Sequence, residues 1–179
     1  MTNSMLRNLN ALGLLGITII LAMGLVVQIV LNELPCPLCL LQRIGFALVM
    51  FGFMLNVVQG SSYHHYGLVI ISALFGASVS LRQVLLHIVP GTGTYGSPIL
   101  GLHIYTWAFV LFVATLLAVG IMLVASRNQQ PEVITPMTSI QRAICWAAVM
   151  VLFANVVSTF LECGPLVCAD NPVAYKLLS

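Results

Sequence analysis

The sequence predicts an all-α, polytopic membrane protein, a bundle of transmembrane helices, and three observations carry that expectation. Of the 179 residues, 60% are hydrophobic and 6% charged, whereas about a quarter of a soluble domain is charged. Five apolar stretches each reach the length of about 20 residues that crosses a hydrocarbon core roughly 30 Å thick as a helix. Short segments rich in Gly, Pro, Ser, Asn and Gln join them, which is turn composition. No internal repeat, low-complexity tract or second domain interrupts the pattern, so residues 1–179 read as a single integral membrane domain.

The first span runs from about Ala11 to Leu31, with Gln28 its only strongly polar side chain, and Glu33 and Pro35 close it. It is too long for a secretory signal peptide and has no good small-residue cleavage site. The second starts near Cys36, covers about residues 38–58 and carries Gln42 and Arg43 in its first two turns. The third, about Gly67 to Val89, contains Arg82 and His87. A loop from Pro90 to Gly101, with Tyr95 inside it, leads to the fourth span, about His103 to Ala125. The fifth runs from about Ile140 to Leu161 and leaves a tail over residues 162–179. Cations outside the hydrocarbon set the orientation: Arg7, Arg127 and Arg142 fall on one side and Lys176 on the other. The amino terminus is therefore expected inside and, after an odd number of spans, the carboxyl tail outside.

Six Lys and Arg against four Asp and Glu give a formal charge of +2. With no basic run to track phosphates, nucleic acid is not an expected partner. Apart from Arg82, the expected spans carry no buried acid or polar stripe that would mark an ion path, which argues against a transporter.

The five cysteines hold most of the chemical information. In the expected topology Cys36 and Cys39 lie at the outer end of the second span, and Cys163 and Cys168 lie just beyond the fifth. Two dithiols on one oxidising face can exchange disulfides by thiolate attack. Cys145, inside the fifth span, reads as a small buried apolar side chain. Cys36-Pro37-Leu38-Cys39 is a C-x-x-C turn at a helix start, with Pro37 suited to the first helical position. Unpaired backbone N–H groups and the positive end of the helix dipole favour a thiolate there. Arg43, one turn after Cys39 on the same face, adds a permanent cation that could stabilise negative charge on a thiolate or a reducible carbonyl. Snorkelling of Arg43 to lipid headgroups is the plain alternative.

The second pair encloses Gly164 and Pro165, which supply turn chemistry. Glu162 and Asp170 flank it and oppose thiolate formation, leaving it less acidic than the helix-start pair. A purely structural clip on the tail stays open as a reading. A zinc site does not fit well, because a C-x-x-C followed more than a hundred residues later by C-x-x-x-x-C is unusual spacing for one.

The run Leu34-Pro35-Cys36-Pro37-Leu38-Cys39-Leu40-Leu41-Gln42-Arg43 resembles the DsbB family of bacterial disulfide bond formation proteins, and the similarity extends through the first four spans, including Arg82-Gln83-Val84. The resemblance implies a four-helix core, here with a fifth transmembrane helix added, in the bacterial inner membrane. It implies an enzyme that reoxidises a periplasmic, DsbA-like thioredoxin-fold thiol oxidase and reduces ubiquinone or menaquinone. By position, Cys36 and Cys39 look like the quinone-proximal pair, with Cys39 meeting the quinone and Cys36 exchanging with the second pair. Arg43 looks like the family's arginine at the quinone, and Arg82 and His87 are further candidates for that pocket. His87 and His103 also read as interfacial histidines. The chain departs from the family in one respect. Typical members carry the second pair between the third and fourth spans, whereas here Pro90 to Gly101 has no cysteine and Cys163 and Cys168 follow the fifth span. The expectation is a relay with its second pair relocated. The rival is a non-enzymatic membrane subunit or metal-handling protein whose cysteines staple the outer face.

Overall fold

The computed structural model describes residues 3–89, 91, 93, 98–126, 136–165, 168 and 174–177. Arg127, Tyr95 and Asp170, used above for orientation, loop composition and thiol acidity, lie outside the described residues. The elements are α1 (Asn3–Val30), α2 (Pro37–Gln59), α3 (Tyr63–His87), α4 (Ile104–Ala125) and α5 (Ser139–Cys163). All five are long and apolar enough to cross a membrane. Among the described residues the only β pairing is an isolated bridge between Ile99 and Leu102.

The helix ends follow from local chemistry. Pro37 opens α2 behind the N-cap Cys36, whose Sγ accepts from the Cys39 backbone N–H at 3.1 Å. Ser62 caps α3 by accepting from His64 N at 3.3 Å, so that helix begins four residues before the expected Gly67. Thr138 and Gln141 form a reciprocal capping box at the start of α5. The largest difference is at α1, which begins eight residues before the expected Ala11. Arg7 and Asn10 look too polar for a span, yet both are buried because both are satisfied. Arg7 Nε donates to Val57 O at 2.8 Å. Asn10 Nδ2 donates to Tyr66 Oη at 2.7 Å, and Asn10 Oδ1 accepts from Asn56 Nδ2 at 3.0 Å. These bonds tie α1, α2 and α3 together at the end remote from the cysteines.

Lipid tails are as apolar as leucine, so helix association in a bilayer relies on close packing and interhelical hydrogen bonds. Both are present. Gly45 on α2 and Gly76 on α3 meet so closely that a Cβ on Gly45 would sit 3.0 Å from Gly76 Cα, and one on Gly76 would run into the Phe112 ring of α4. Phe112 is fully buried and stacks on Phe46 with ring centroids 4.0 Å apart. Thus α2 packs between α1 and α3, and α4 packs on α3. The fifth helix lies against α1, with a lesser contact to α2. Its bonds to α1 run along its length: Gln141 Nε2 to Asn8 Oδ1 at 3.0 Å, Asn155 Nδ2 to Leu21 O at 3.4 Å, and Gln28 Nε2 to Glu162 Oε2 at 3.2 Å. Among the described residues α1 and α4 make no extensive contact. The expected four-helix core with an added fifth helix is therefore present, and its α1–α4 side is left as a cleft.

Candidate functional site

The end of α1, the start of α2, the ends of α3 and α5 and the start of α4 gather at one end of the bundle. Cys36 and Cys39 form a disulfide there, with Cα atoms 5.0 Å apart. Cys36 is buried and Cys39 half-buried. From α3, Gln83 Nε2 approaches both sulfurs, at 3.4 Å from Cys36 Sγ and 3.6 Å from Cys39 Sγ. Gln83 Oε1 accepts in turn from Gln42 Nε2 at 2.7 Å.

Beside Cys39 a cavity of about 460 Å³ occupies the α1–α4 cleft. The α1–α2 connection at Glu33, Leu34 and Pro35 and the turn at Ile99 and Leu100 line it at the cysteine end. Its walls are mainly apolar, among them Ile20, Met23, Phe46 and Leu111; Cys39, Gln42, Arg43 and Tyr105 add polar points. Arg43 does not extend outward toward headgroups. Its Nη1 donates to Gln28 Oε1 at 2.8 Å and its Nη2 to Gly24 O at 2.9 Å, which holds the guanidinium against α1 on the cavity wall. Cation and sulfur thus face one apolar chamber, as one-turn spacing on α2 requires.

Cys163 is the last residue of α5 and is buried; Cys168 is more open, and the two form a disulfide with Cα atoms 4.5 Å apart. The tail then returns to the helix end, where Lys176 N donates to Glu162 O at 3.2 Å and Leu177 N to Leu161 O at 3.1 Å. Glu162, read above as a residue of the outer tail, belongs to the last turn of α5 and is buried. Its Oε2 accepts from Gln28 Nε2, which also donates to Tyr175 Oη at 3.2 Å. Gln28 therefore bridges the Arg43 guanidinium on one side and the base of the second cysteine pair on the other. Free Cys145 is half-buried and packs against the core from α5.

The remaining candidates are further off. Arg82 lies on the exposed face of α3 and does not line the cavity. His87 is likewise outside the cavity lining, with Nδ1 2.8 Å from Gln83 O. A carbonyl can only accept, so Nδ1 carries the proton. The His87 ring stacks on Tyr105, which also stacks on His103, each at 5.3 Å between centroids. Tyr105 itself reaches the cavity, so the two histidines act on its wall through that ring. Gln83 and Gln28 were not singled out as site residues. The signal was available in helical period: Tyr66, Val69, Ala73, Gly76, Ser80 and Gln83 are the buried face of α3. Arg82 is one position off it.

Comparison with known proteins agrees with this geometry. The family model for Disulfide bond formation protein DsbB matches residues 6–95, which span α1 to α3 with Cys36, Cys39, Arg43 and Gln83. Disulfide bond formation protein B 1 of Pseudomonas fluorescens strain Pf-5 is 31% identical over 159 residues, 69% of this chain and 94% of that protein. Disulfide bond formation protein B of Polaromonas sp. strain JS666 is 30% identical over 162 residues, 72% of this chain and 96% of its own length. The protein of the same name from Chromobacterium violaceum is 42% identical over 71 residues, 37% of this chain and 43% of that one. No solved structure matches. With half of the chain matched by the family model and a relative aligned over nearly its whole length, this multi-pass helical chain belongs to the DsbB family of disulfide bond formation proteins.

Proposed function

We propose that the chain is a thiol:quinone oxidoreductase of the bacterial inner membrane, amino terminus in the cytoplasm and tail in the periplasm. It reoxidises a DsbA-like thioredoxin-fold thiol oxidase and so sustains disulfide formation. The observation that carries the reading is that Cys39 and Arg43 line one apolar cavity set between two helices that make no extensive contact among the described residues. The chamber suits an apolar, planar carbonyl compound: ring-sized room, walls of aliphatic and aromatic side chains, and a guanidinium for a carbonyl oxygen. Arg43 and Tyr105 would hold ubiquinone or menaquinone, with Cys39 beside it. When bound, the quinone supplies an acceptor for two electrons and two protons.

The protein's own part is disulfide exchange. A partner thiolate opens the Cys163–Cys168 disulfide, and the freed pair attacks Cys36–Cys39. Cys168, the more open of the second pair, is the sulfur better placed for the first attack. Cys36 receives the exchange, leaving Cys39 as the thiolate on the cavity wall. Arg43 stabilises negative charge at that wall in surroundings of low dielectric, where a fixed cation is most effective. Arg82 and His87 belong to the same end of the bundle, His87 supporting Tyr105. A narrower version, in which Cys36 and Cys39 exchange with the partner directly and the tail disulfide is a clip, draws support from the buried Cys163 and the tail's backbone bonds to α5.

Mass-shift thiol labelling tests both. Purified protein receives a reduced thioredoxin-fold partner with and without quinone, in parallel with Cys39→Ser and Cys163→Ser. The relay requires both pairs to cycle with quinone and either substitution to stop turnover. If only Cys36 and Cys39 cycle, the tail is a clip; if neither pair responds to quinone, the oxidoreductase reading fails and the cysteines are structural staples.

A further inference from the structure

The sulfurs of Cys36 and Cys39 share a neighbour whose orientation is fixed from behind. Gln83 is 1% exposed and Gln42 4%. Gln83 Oε1 is engaged by the Gln42 amide at 2.7 Å and stands 4.0 Å from Cys39 Sγ, so its NH₂ group, 3.4 Å and 3.6 Å from the two sulfurs, is the end nearer the disulfide. A disulfide sulfur is a weak acceptor, and a donor spent on it contributes little to the oxidised protein. A thiolate is different: hydrogen bonds to an ionised acceptor are roughly twice as strong as neutral ones. One buried side-chain amide, held by a second, thus aims its N–H groups at atoms that need them only after the bond between them breaks.

The geometry points to Gln83, oriented by Gln42, as the donor that takes up the negative charge released when the Cys36–Cys39 disulfide opens. The step is balanced without a proton. An incoming thiolate attacks Cys36 Sγ, a new S–S bond forms, the Cys36–Cys39 bond breaks and its electron pair stays on Cys39 Sγ. Gln83 touches both reacting atoms; Gln42 is a positioning residue that acts through it. The inference rests on the thiol-exchange reading and not on the identity of the electron acceptor. Other charged or titratable groups surround the pair: Arg43, Glu33 and Tyr105 on the cavity wall, and His87, whose Nδ1–H bonds Gln83 O. The test leaves all of these in place and changes only the amides.

The full-length chain carrying Cys36→Ser presents Cys39 as a lone thiol, and peptide-resolved alkylation by iodoacetamide reads its thiolate fraction against pH, with no quinone or partner present. Gln83→Met keeps volume and removes the donor without adding a charge. Gln42→Met, equally neutral, removes the bond that holds Gln83 Oε1, so that the Gln83 amide is free to turn its oxygen toward the sulfur. Each is expected to slow Cys39 alkylation at neutral pH about tenfold, moving the midpoint of the profile up by about one pH unit. A residue that only packs would alter thermal stability and leave the profile where it is. Unchanged profiles in folded variants overturn the assignment. If either variant does not fold, Gln83→Leu, also neutral and without the donor, decides by the same readout. Loss of quinone dependence in the labelling experiment above would leave this result standing, and an unchanged profile here would leave the quinone reading standing.

Discussion

Replacing Arg43 separates its charge from its shape. The guanidinium has five N–H groups in a rigid fork; two are spent on α1, at Gln28 Oε1 and Gly24 O, each within 2.9 Å. The fork is thereby fixed with its remaining N–H groups free to address the chamber. One hydrogen bond from a charged donor contributes roughly 1.5–3 kcal/mol, and about 1.4 kcal/mol is a factor of ten. Arg43→Leu should therefore raise the KM for a short-chain ubiquinone by about 10- to 150-fold. Arg43→Lys keeps the cation, but an ammonium cannot hold both α1 acceptors and still present an oriented N–H to the cavity. Its expected KM lies between those of the parent and Arg43→Leu. Steady-state quinone reduction with a reduced thioredoxin-fold partner, followed by ring absorbance, measures both. Disulfide status of Cys36–Cys39 by thiol labelling confirms that the variants are folded at the site. Parent-like KM and turnover in both variants would refute the role given to this cation.

Two further outcomes concern the scaffold. Gly76→Ala drives a methyl into the Phe112 ring and should destabilise by about 1–3 kcal/mol or more. That appears as a lower thermal midpoint in detergent, partly restored by adding Phe112→Leu. Glu162→Leu removes one of the two acceptors of Gln28 Nε2, leaving Tyr175 Oη. It should cost about 1–3 kcal/mol in thermal unfolding while Cys36 and Cys39 remain disulfide-bonded; an unchanged midpoint would show that the α1–α5 junction does not depend on this carboxylate.

The helices were legible because a bilayer demands long apolar runs whatever the fold, and α2 and α4 begin and end within a residue or two of their expected limits. The start of α1 was not, since hydropathy scores Arg7 and Asn10 as solvent-seeking and cannot foresee that Val57 O, Tyr66 and Asn56 satisfy them. In the site, Cys39 and Arg43 could be joined from sequence because one helical turn separates them. Gln28 and Glu162 could not. They meet across 134 residues, and nothing local in either helix specifies that α5 returns to the end of α1. Arg82 drew attention because a charge in a span is conspicuous, whereas its neutral neighbour Gln83 holds the place on the buried face. A polar residue in register with Ser80 and Gly76 carries more information about a membrane site than a charged one out of register.

The cleft between α1 and α4 also decides what concentration means for this protein. A chamber lined at one end by the two connecting segments, between helices that make no extensive contact among the described residues, is open to approach from the side. If the acceptor is a quinone, as proposed, a molecule entering that way stays in the acyl phase, and its supply is set by how many share each unit of membrane area. Bulk molarity is then the wrong variable. Doubling the lipid or detergent at fixed total quinone halves the effective supply, so saturation curves taken at different detergent loads should superimpose only when plotted against mole fraction.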